Sequence, residues 1–405
     1  MSAPRLSVVV VSWGRPRALA RCLTALGQMR SVRFEVIVVA DADGLAVAQG
    51  VPMAERLVLM AQEEANISAA RNAGIAAAVG EIVAFIDDDA VPEPGWAEAL
   101  LGGFETFGAA AVTGPVIGRN GFSLQWGRMA VDAQGRDRWL GEGEAPAPGE
   151  ALKLHGTNMA LKRDVLTRTG GFDTGFAFYL DETDLALRLS RAGLGLRYLP
   201  DAVVHHGFAA SARRREDRVP LDLFDIGASS ALFLRKHAPE ALEAGLAELE
   251  AAQRARLLRL ARKRKLGPED IRRLMESLAA GIAAGRGRPS EVGGIGAPGR
   301  PFRPMRDALP GAMRCLDGWV YRAGSSRSEA ARHVAAGEPV ALLLLEPTPR
   351  KHRLCFTETG WWEQRGGVFG PAERSAPRLQ AWTPAARRAR EWGRLARISC
   401  PDRLE

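Results

Sequence analysis

Glu81-Ile82-Val83-Ala84-Phe85-Ile86-Asp87-Asp88-Asp89 is a short apolar run that ends abruptly in three carboxylates. Its length and its β-branched and aromatic content predict a strand over Glu81 to Ile86, buried on both faces as in a parallel sheet. Carboxylates crowded at a strand end repel one another unless a cation neutralises them. Mg²⁺ and Mn²⁺ suit such oxygen ligands and share their shell with substrate phosphates. An acidic surface loop is the bland alternative, because a bare Asp-x-Asp is common.

The pattern repeats upstream. Leu6 to Val11 predicts a first strand, and Arg15-Pro16 opens a helix through Gln28, with proline at a first helical position. Phe34 to Ala40 is a second strand, Asp41-Ala42-Asp43-Gly44 a turn, and Ser68 to Ala78 a further helix. Strand and helix alternate, so the fold class is α/β with a mainly parallel, Rossmann-like sheet flanked by helices. Ligands of such sheets sit beyond the carboxyl ends of the strands, which gathers Ser12-Trp13, Asp41 and Asp87-Asp88-Asp89 along one edge. Downstream, residues 102 to 150 form a Gly- and Ala-rich excursion with a short strand around Ala110 to Val116. Order returns with His155-Gly156-Thr157-Asn158-Met159-Ala160 and a helix from Arg163. Gly170-Gly171-Phe172-Asp173 then turns the chain into Tyr179 to Ala192, which opens with acidic residues favourable to a helix dipole. A strand at Leu196 to Leu199 leads to His205-His206.

Several of these stretches, in this order and spacing, resemble the inverting, family-2 nucleotide-sugar glycosyltransferases of GT-A fold. They are the strand-one Val-Val-Val-Ser, Ala70-Arg71-Asn72-Ala73-Gly74, Phe-Ile-Asp-Asp-Asp followed by Pro94-Gly95-Trp96, Gly156-Thr157-Asn158-Met159-Ala160-Leu161, Gly-Gly-Phe-Asp, and Asp181-Glu182-Thr183-Asp184-Leu185-Ala186-Leu187-Arg188-Leu189. The resemblance covers about residues 5 to 215. It implies a donor site for a nucleoside diphosphate sugar, with Asp87 near the donor ribose, Arg71 facing the nucleotide, and Ser12, Trp13, Arg15, Asp41 and Asp88 around it. Asp89, with Asp87 and His206, is implied to hold Mn²⁺ or Mg²⁺. Glu182 corresponds to the second member of the family's acidic pair and is the expected base, with Asp181 the alternate. Gly156, Asn158 and Asp184 are expected at the sugar or acceptor pocket. Two stretches depart from the family pattern: Ala40-Asp41-Ala42-Asp43 replaces the usual Asp-Asp-Gly-Ser, leaving the donor base open, and Ser12-Trp13-Gly14-Arg15 replaces Thr-Tyr-Asn-Arg. A neutral imidazole at His206 is a plausible metal ligand, and Arg213-Arg214-Arg215 could close over the diphosphate.

The whole chain has 405 residues, 46% hydrophobic and 25% charged, which excludes a disordered or collagen-like protein. Its longest aliphatic runs fall short of a membrane span. With no signal-peptide pattern either, the expectation is a cytoplasmic protein, with the inner face of the membrane as a further place of work. Cys22, Cys315, Cys355 and Cys400 lack the spacing of a zinc site or a disulfide framework. The first 220 residues hold 23 Lys and Arg against 26 Asp and Glu, a net of −3, and the other 185 hold 32 against 21, a net of +11. Three units are expected: a catalytic one over 1–219, a helical basic segment over 220–290, and a Gly/Pro-rich linker with a small α+β region over 291–405. Ala251 to Lys265 carries seven basic residues and no acidic one, which suggests peripheral contact with an anionic membrane near a glycan or lipid-linked acceptor. It contains no aromatic, which argues against a nucleic-acid surface. Nucleotidyl transfer is the competing chemistry, but Ser12-Trp13-Gly14-Arg15-Pro16 is not a glycine-rich phosphate loop.

Overall fold

The computed structural model describes residues 5–31, 33–207 and 209–399. Its first part alternates β1 (Leu6–Ser12), α1 (Pro16–Leu26), β2 (Phe34–Ala40), α2 (Ala42–Gln49), β3 (Val58–Ala61), α3 (Ile67–Ala77) and β4 (Ile82–Asp87). The valine run makes β1 central: it pairs in parallel with β2 on one side and β4 on the other. Successive side chains of a strand point to opposite faces. Val8, Val10, Val36, Val38, Ala84 and Ile86 therefore fill one core beneath α1 and α2, while Val9, Ile37, Val39, Val83 and Phe85 fill the other against α3. Such two-sided burial is why these strands read as unbroken apolar runs.

Ala42 to Gly44 begin a helix, correcting the expectation of a turn over Asp41 to Gly44. Asp41 caps α2 by accepting from the Gly44 N–H. Its other carboxylate oxygen accepts from the Gly14 N–H at 2.6 Å. After the acidic triplet come β5 (Ala90–Pro92) and α4 (Trp96–Phe107), a helix hidden in the Gly- and Ala-rich excursion, whose Trp96, Leu100 and Phe104 pack into the first core. Short strands follow: β6 (Ala111–Thr113), β7 (Val116–Ile117), β8 (Leu124–Trp126), β9 (Met129–Val131), β10 (Asp137–Trp139), β11 (Ala151–Leu152) and β12 (Asn158–Lys162). The first part closes with α5 (Arg163–Arg168), α6 (Asp181–Arg191), β13 (Leu196–Tyr198) and β14 (Val204–His206).

The main sheet has seven strands in the order β13-β6-β12-β4-β1-β2-β3, with β12 antiparallel to both its neighbours. A second sheet, β5-β14-β7-β8, stands past the end of β4 and carries His206 back beside the acidic triplet. This is the α/β, GT-A-like architecture, a mixed and mainly parallel sheet between helices.

Three helices come next: α7 (Phe224–His237), α8 (Leu242–Arg262) and α9 (Pro268–Gly287), sharing a core of Leu223, Ala231, Leu234, Leu246, Leu257, Leu274 and Leu278. No helix among the described residues is long and apolar enough to cross a membrane. The Gly- and Pro-rich stretch after α9 lies along the first part as a strap. Ser290 and the Glu291 N–H bond Asp173, Arg300 bonds the buried Glu35, and Met305 enters the first core with its N–H on the Phe34 carbonyl. Beyond it stand β15 (Arg314–Trp319), α10 (Ala323–Ala335), β16 (Val340–Glu346), β17 (Arg353–Phe356), β18 (Trp362–Gly367) and α11 (Pro384–Ser399). Their sheet runs β15-β16-β18-β17, with only β17 antiparallel. Its Leu354, Phe356 and Trp362 pack with Leu395 and Ile398 of α11 onto Ala25 and Val91 of the first part. Cys22, Cys315 and Cys355 are free thiols, and Cys400 lies outside the described residues.

Candidate active site

A cavity of about 490 Å³ opens at the carboxyl ends of β1 and β4. Its lining combines Trp13, Arg15, Arg71, Asp87 and Asp89 with Gly156, Asp181 and Glu182, and with His206, Arg213 and Arg214. Arg256 of α8 and Ile226 of α7 close another side.

At one end Asp87, Asp89 and His206 each offer a ligand atom within 4.8 Å of the others. The two carboxylates suit Mn²⁺ or Mg²⁺, and the imidazole favours Mn²⁺ of the two. The Nε2 of His206 lies 3.2 Å from Asp89 Oδ1, and its Nδ1 lies 3.3 Å from Gln125 Oε1. Apart from this approach of His206, that Oδ1 is buried with no other partner among the described residues, so an ion there would meet an oxygen with coordination to spare. The other oxygen of Asp89 accepts from the Ala209 N–H at 2.7 Å. Burial works to raise the Asp89 pKa, but His206, Arg15 and that N–H outweigh it and hold the carboxyl below the usual range. The candidate site is therefore charged when empty, a state that favours taking up a cation.

Asp88 has the opposite fate. Its side chain turns into the protein, where it accepts from the Ser12 hydroxyl at 2.7 Å and pairs with Arg15 at 2.6 Å. Burial pushes it up to about 7. Asp88 and Ser12 thus brace Arg15, whose other nitrogen lies 3.3 Å from Asp89, and neither reaches the cavity wall.

At the other end, α6 presents Asp181 and Glu182 in its first turn. Arg71 is buried from α3 and binds Asp181, donates to the Gly156 carbonyl at 3.1 Å, and lies 3.6 Å from Asp87. Gly156 is needed there, because a Cβ would sit 2.8 Å from the guanidinium. Thr157 donates its hydroxyl to Asp87. Glu182 lines the cavity with no ion pair of its own among the described residues, and burial together with the Asp181 charge pushes its carboxyl up to about 8.

Besides Ser12 and Asp88, three further expected residues are not brought to the cavity. Asp41 spends both oxygens on backbone N–H groups. Asn158 is buried inside the sheet, accepting from the Trp96 indole and donating to the Pro115 and Ala202 carbonyls. Asp184 is buried on the far side of α6, bound by Arg188, Lys236 and His237, so it ties α6 to α7. Conversely, sequence reading missed Trp126, whose ring stacks on His155 and lies 5.7 Å from His206, and Lys153, Tyr179 and Arg256, which line the cavity. Trp126 and Tyr179 are lone aromatics in irregular sequence, and Arg256 was one of seven basic residues between Ala251 and Lys265.

The profile of the family described as glycosyltransferase-like family 2 matches residues 4–218. Among curated proteins, the pre-mycofactocin glycosyltransferase of Mycobacterium tuberculosis is 32% identical over 186 residues, 44% of this chain and 38% of that protein. The succinoglycan biosynthesis protein ExoM of Rhizobium meliloti is 28% identical over 213 residues, 49% of this chain and 66% of that one. The chain thus spans less than two thirds of either relative. Among solved structures, a mannosyltransferase from Pyrobaculum calidifontis in complex with GDP-Man and Mn²⁺ is similar over 70% of this chain and 86% of that one, at 19% identity and a TM-score of 0.41.

Proposed function

The chain belongs to the family-2 glycosyltransferases through residues 4–218, and from that premise we propose that it moves a sugar from a nucleoside diphosphate donor to an acceptor hydroxyl with inversion at the anomeric carbon. The observation that carries this reading is the division of roles between two adjacent carboxylates. Asp181 is committed to Arg71, while Glu182 faces the cavity with its pKa raised to about 8. A carboxylate so raised is a stronger base than an exposed one, suited to deprotonating a hydroxyl.

Glu182 takes the acceptor proton as the hydroxyl oxygen bonds to the anomeric carbon from one side. The bond to the diphosphate breaks on the other, and its electron pair leaves on a phosphate oxygen. No covalent sugar–enzyme species is needed, so one base suffices. Arg15 and Arg214 bring positive charge to the Asp89 end, where the diphosphate is accommodated. Asp87, Asp89 and His206 would hold Mn²⁺ or Mg²⁺, which when bound supplies Lewis-acid stabilisation of the departing diphosphate. Trp13, 38% exposed at the mouth, offers a stacking face for the nucleobase. Gly156 shapes the wall between Arg71 and the sugar.

Residues 1–219 carry catalysis, 220–290 add a helical wall to the cavity, and 291–405 brace it from behind. The acceptor is a glycan or a lipid-linked sugar on the way to a polysaccharide or glycoconjugate, as the role printed for ExoM supports. The basic end of α8 supports work at the cytoplasmic face of a membrane.

Calorimetric titration of UDP, GDP and TDP, with and without Mn²⁺, tests the reading. One nucleotide should bind in a metal-dependent way, and Asp89→Ala should abolish that dependence. Glu182→Gln should bind the nucleotide as wild type does, yet lose turnover of the matching sugar nucleotide by about 10²–10⁴-fold. No nucleotide binding with any metal would overturn it.

A further inference from the structure

Six basic side chains line the cavity. Five stand close to a carboxylate: Arg15 to Asp88, Arg71 to Asp181, Lys153 to Asp137, Arg213 to Asp225, and Arg214, 3.6 Å from Asp89. Arg256 is different. The hydrogen bond described for it runs from Nη1 to the neutral Gln253 Oε1 at 3.3 Å, and it pairs with no carboxylate among the described residues. It is half-buried on α8, and the charges that act on it most are also cations. Burial, Arg214 and Arg259 all push its pKa down. A cation placed in a partly desolvated pocket beside two others costs free energy that its own fold does not recover.

Its place in the cavity narrows what recovers that cost. Tyr179, with its backbone at φ 75°, lies within electrostatic reach of both Glu182 and Arg256. Arg256 therefore stands on the cavity wall between Arg214 of the Asp89 end and Tyr179 of the Glu182 end, within reach of a substrate presented to the base. It is also contributed by a helix outside the 4–218 span shared with the family.

We propose that Arg256 binds an anionic group, phosphate or carboxylate, on the acceptor, so that the acceptor of this enzyme is a negatively charged molecule whose hydroxyl is presented to Glu182. The inference rests on the glycosyltransferase reading of the cavity and adds the chemical class of its second substrate. Arg256 is a specificity residue in this scheme: the guanidinium fork holds the anion and fixes the distance between it and the reacting hydroxyl.

The test uses the full chain saturated with Mn²⁺ and its nucleoside diphosphate, so that the donor phosphate positions are occupied. Glucose 1-phosphate, glucuronate and methyl glucoside are then titrated by calorimetry into wild type, Arg256→Gln and Arg256→Lys. At least one anionic sugar should bind and the neutral one should not; which anion binds tells phosphate from carboxylate. Arg256→Gln should weaken that binding at least tenfold and Arg256→Lys less, while nucleotide affinity and thermal midpoint stay at wild-type values. Equal binding of all three probes, no probe binding, or equal affinity in Arg256→Gln would overturn the proposal. So would weakened nucleotide binding in that variant, which would assign Arg256 to the donor. If the nucleotide itself fails to bind wild type, the donor-site reading falls first and takes this inference with it.

Discussion

The pair Asp181–Glu182 shows how much a one-residue step along a helix changes a carboxylate. Asp181 faces Arg71 and Glu182 faces the cavity, so one is a fixed counter-charge and the other is poised near neutrality. A base must be deprotonated to act, so activity should climb as pH rises through about 8 and level off above it. In Asp181→Asn the like charge is gone and Arg71 is released from its partner. Both changes favour ionised Glu182, so the climb should shift to lower pH in a profile of kcat/KM; an unmoved profile would separate it from Glu182. At this scale the sequence was legible where residue type announces chemistry, as in Asp87, Asp89, Arg71 and His206. It was misleading where a polar residue serves the scaffold. Asn158 and Asp184 sit in motifs shared with the family, yet their partners are Trp96 and the α7 residues Lys236 and His237, far away in sequence. Nothing in a one-dimensional pattern distinguishes an amide facing a pocket from one sealed in a sheet.

Among the helices, a contact with little room to adjust joins α7 to α9. A Cβ on Gly281 would stand 2.0 Å from the Phe224 carbonyl, and one on Gly285 would stand 2.2 Å from that of Ala228. The helices touch backbone to backbone, and α7 in turn holds α6 through Asp184. Gly281→Ala should therefore destabilise by about 1–3 kcal/mol through overpacking, despite the better helix propensity of alanine. Urea denaturation would measure it; a stabilised variant would show that the helices can separate without cost. The central strands β1, β2 and β4 were read well because they are continuous apolar runs, whereas the short edge strand β3 was missed. Helices with a weak stripe were missed too: α2 has eight residues behind an Asp cap that also spells a turn, and α4 was masked by Gly102-Gly103.

Across the whole molecule, a side chain of the C-terminal sheet packs directly beside the site's histidine pair. Trp362 is buried against His205 with ring centres 4.9 Å apart, His205 bonds Glu93 at 3.0 Å, and the next residue is the candidate ligand His206. Trp362→Ala should cost about 3–5 kcal/mol of stability and also lower Mn²⁺ affinity, read by denaturation and by metal titration. Unchanged metal affinity in the folded variant would show that the C-terminal sheet does not position β14. This coupling was not legible in sequence, where Trp361-Trp362 suggested only a strand. The strap was equally silent, since glycine and proline announce loops and not the surfaces that loops lie on. Yet its course has a consequence for how the protein comes into being. Met305 belongs to a core whose other described members all lie within the first 204 residues. On the ribosome, the catalytic layer must therefore wait, with one seat in its interior vacant, until another hundred residues have been added. The last stitch that closes the first-made part is sewn by the chain's second half.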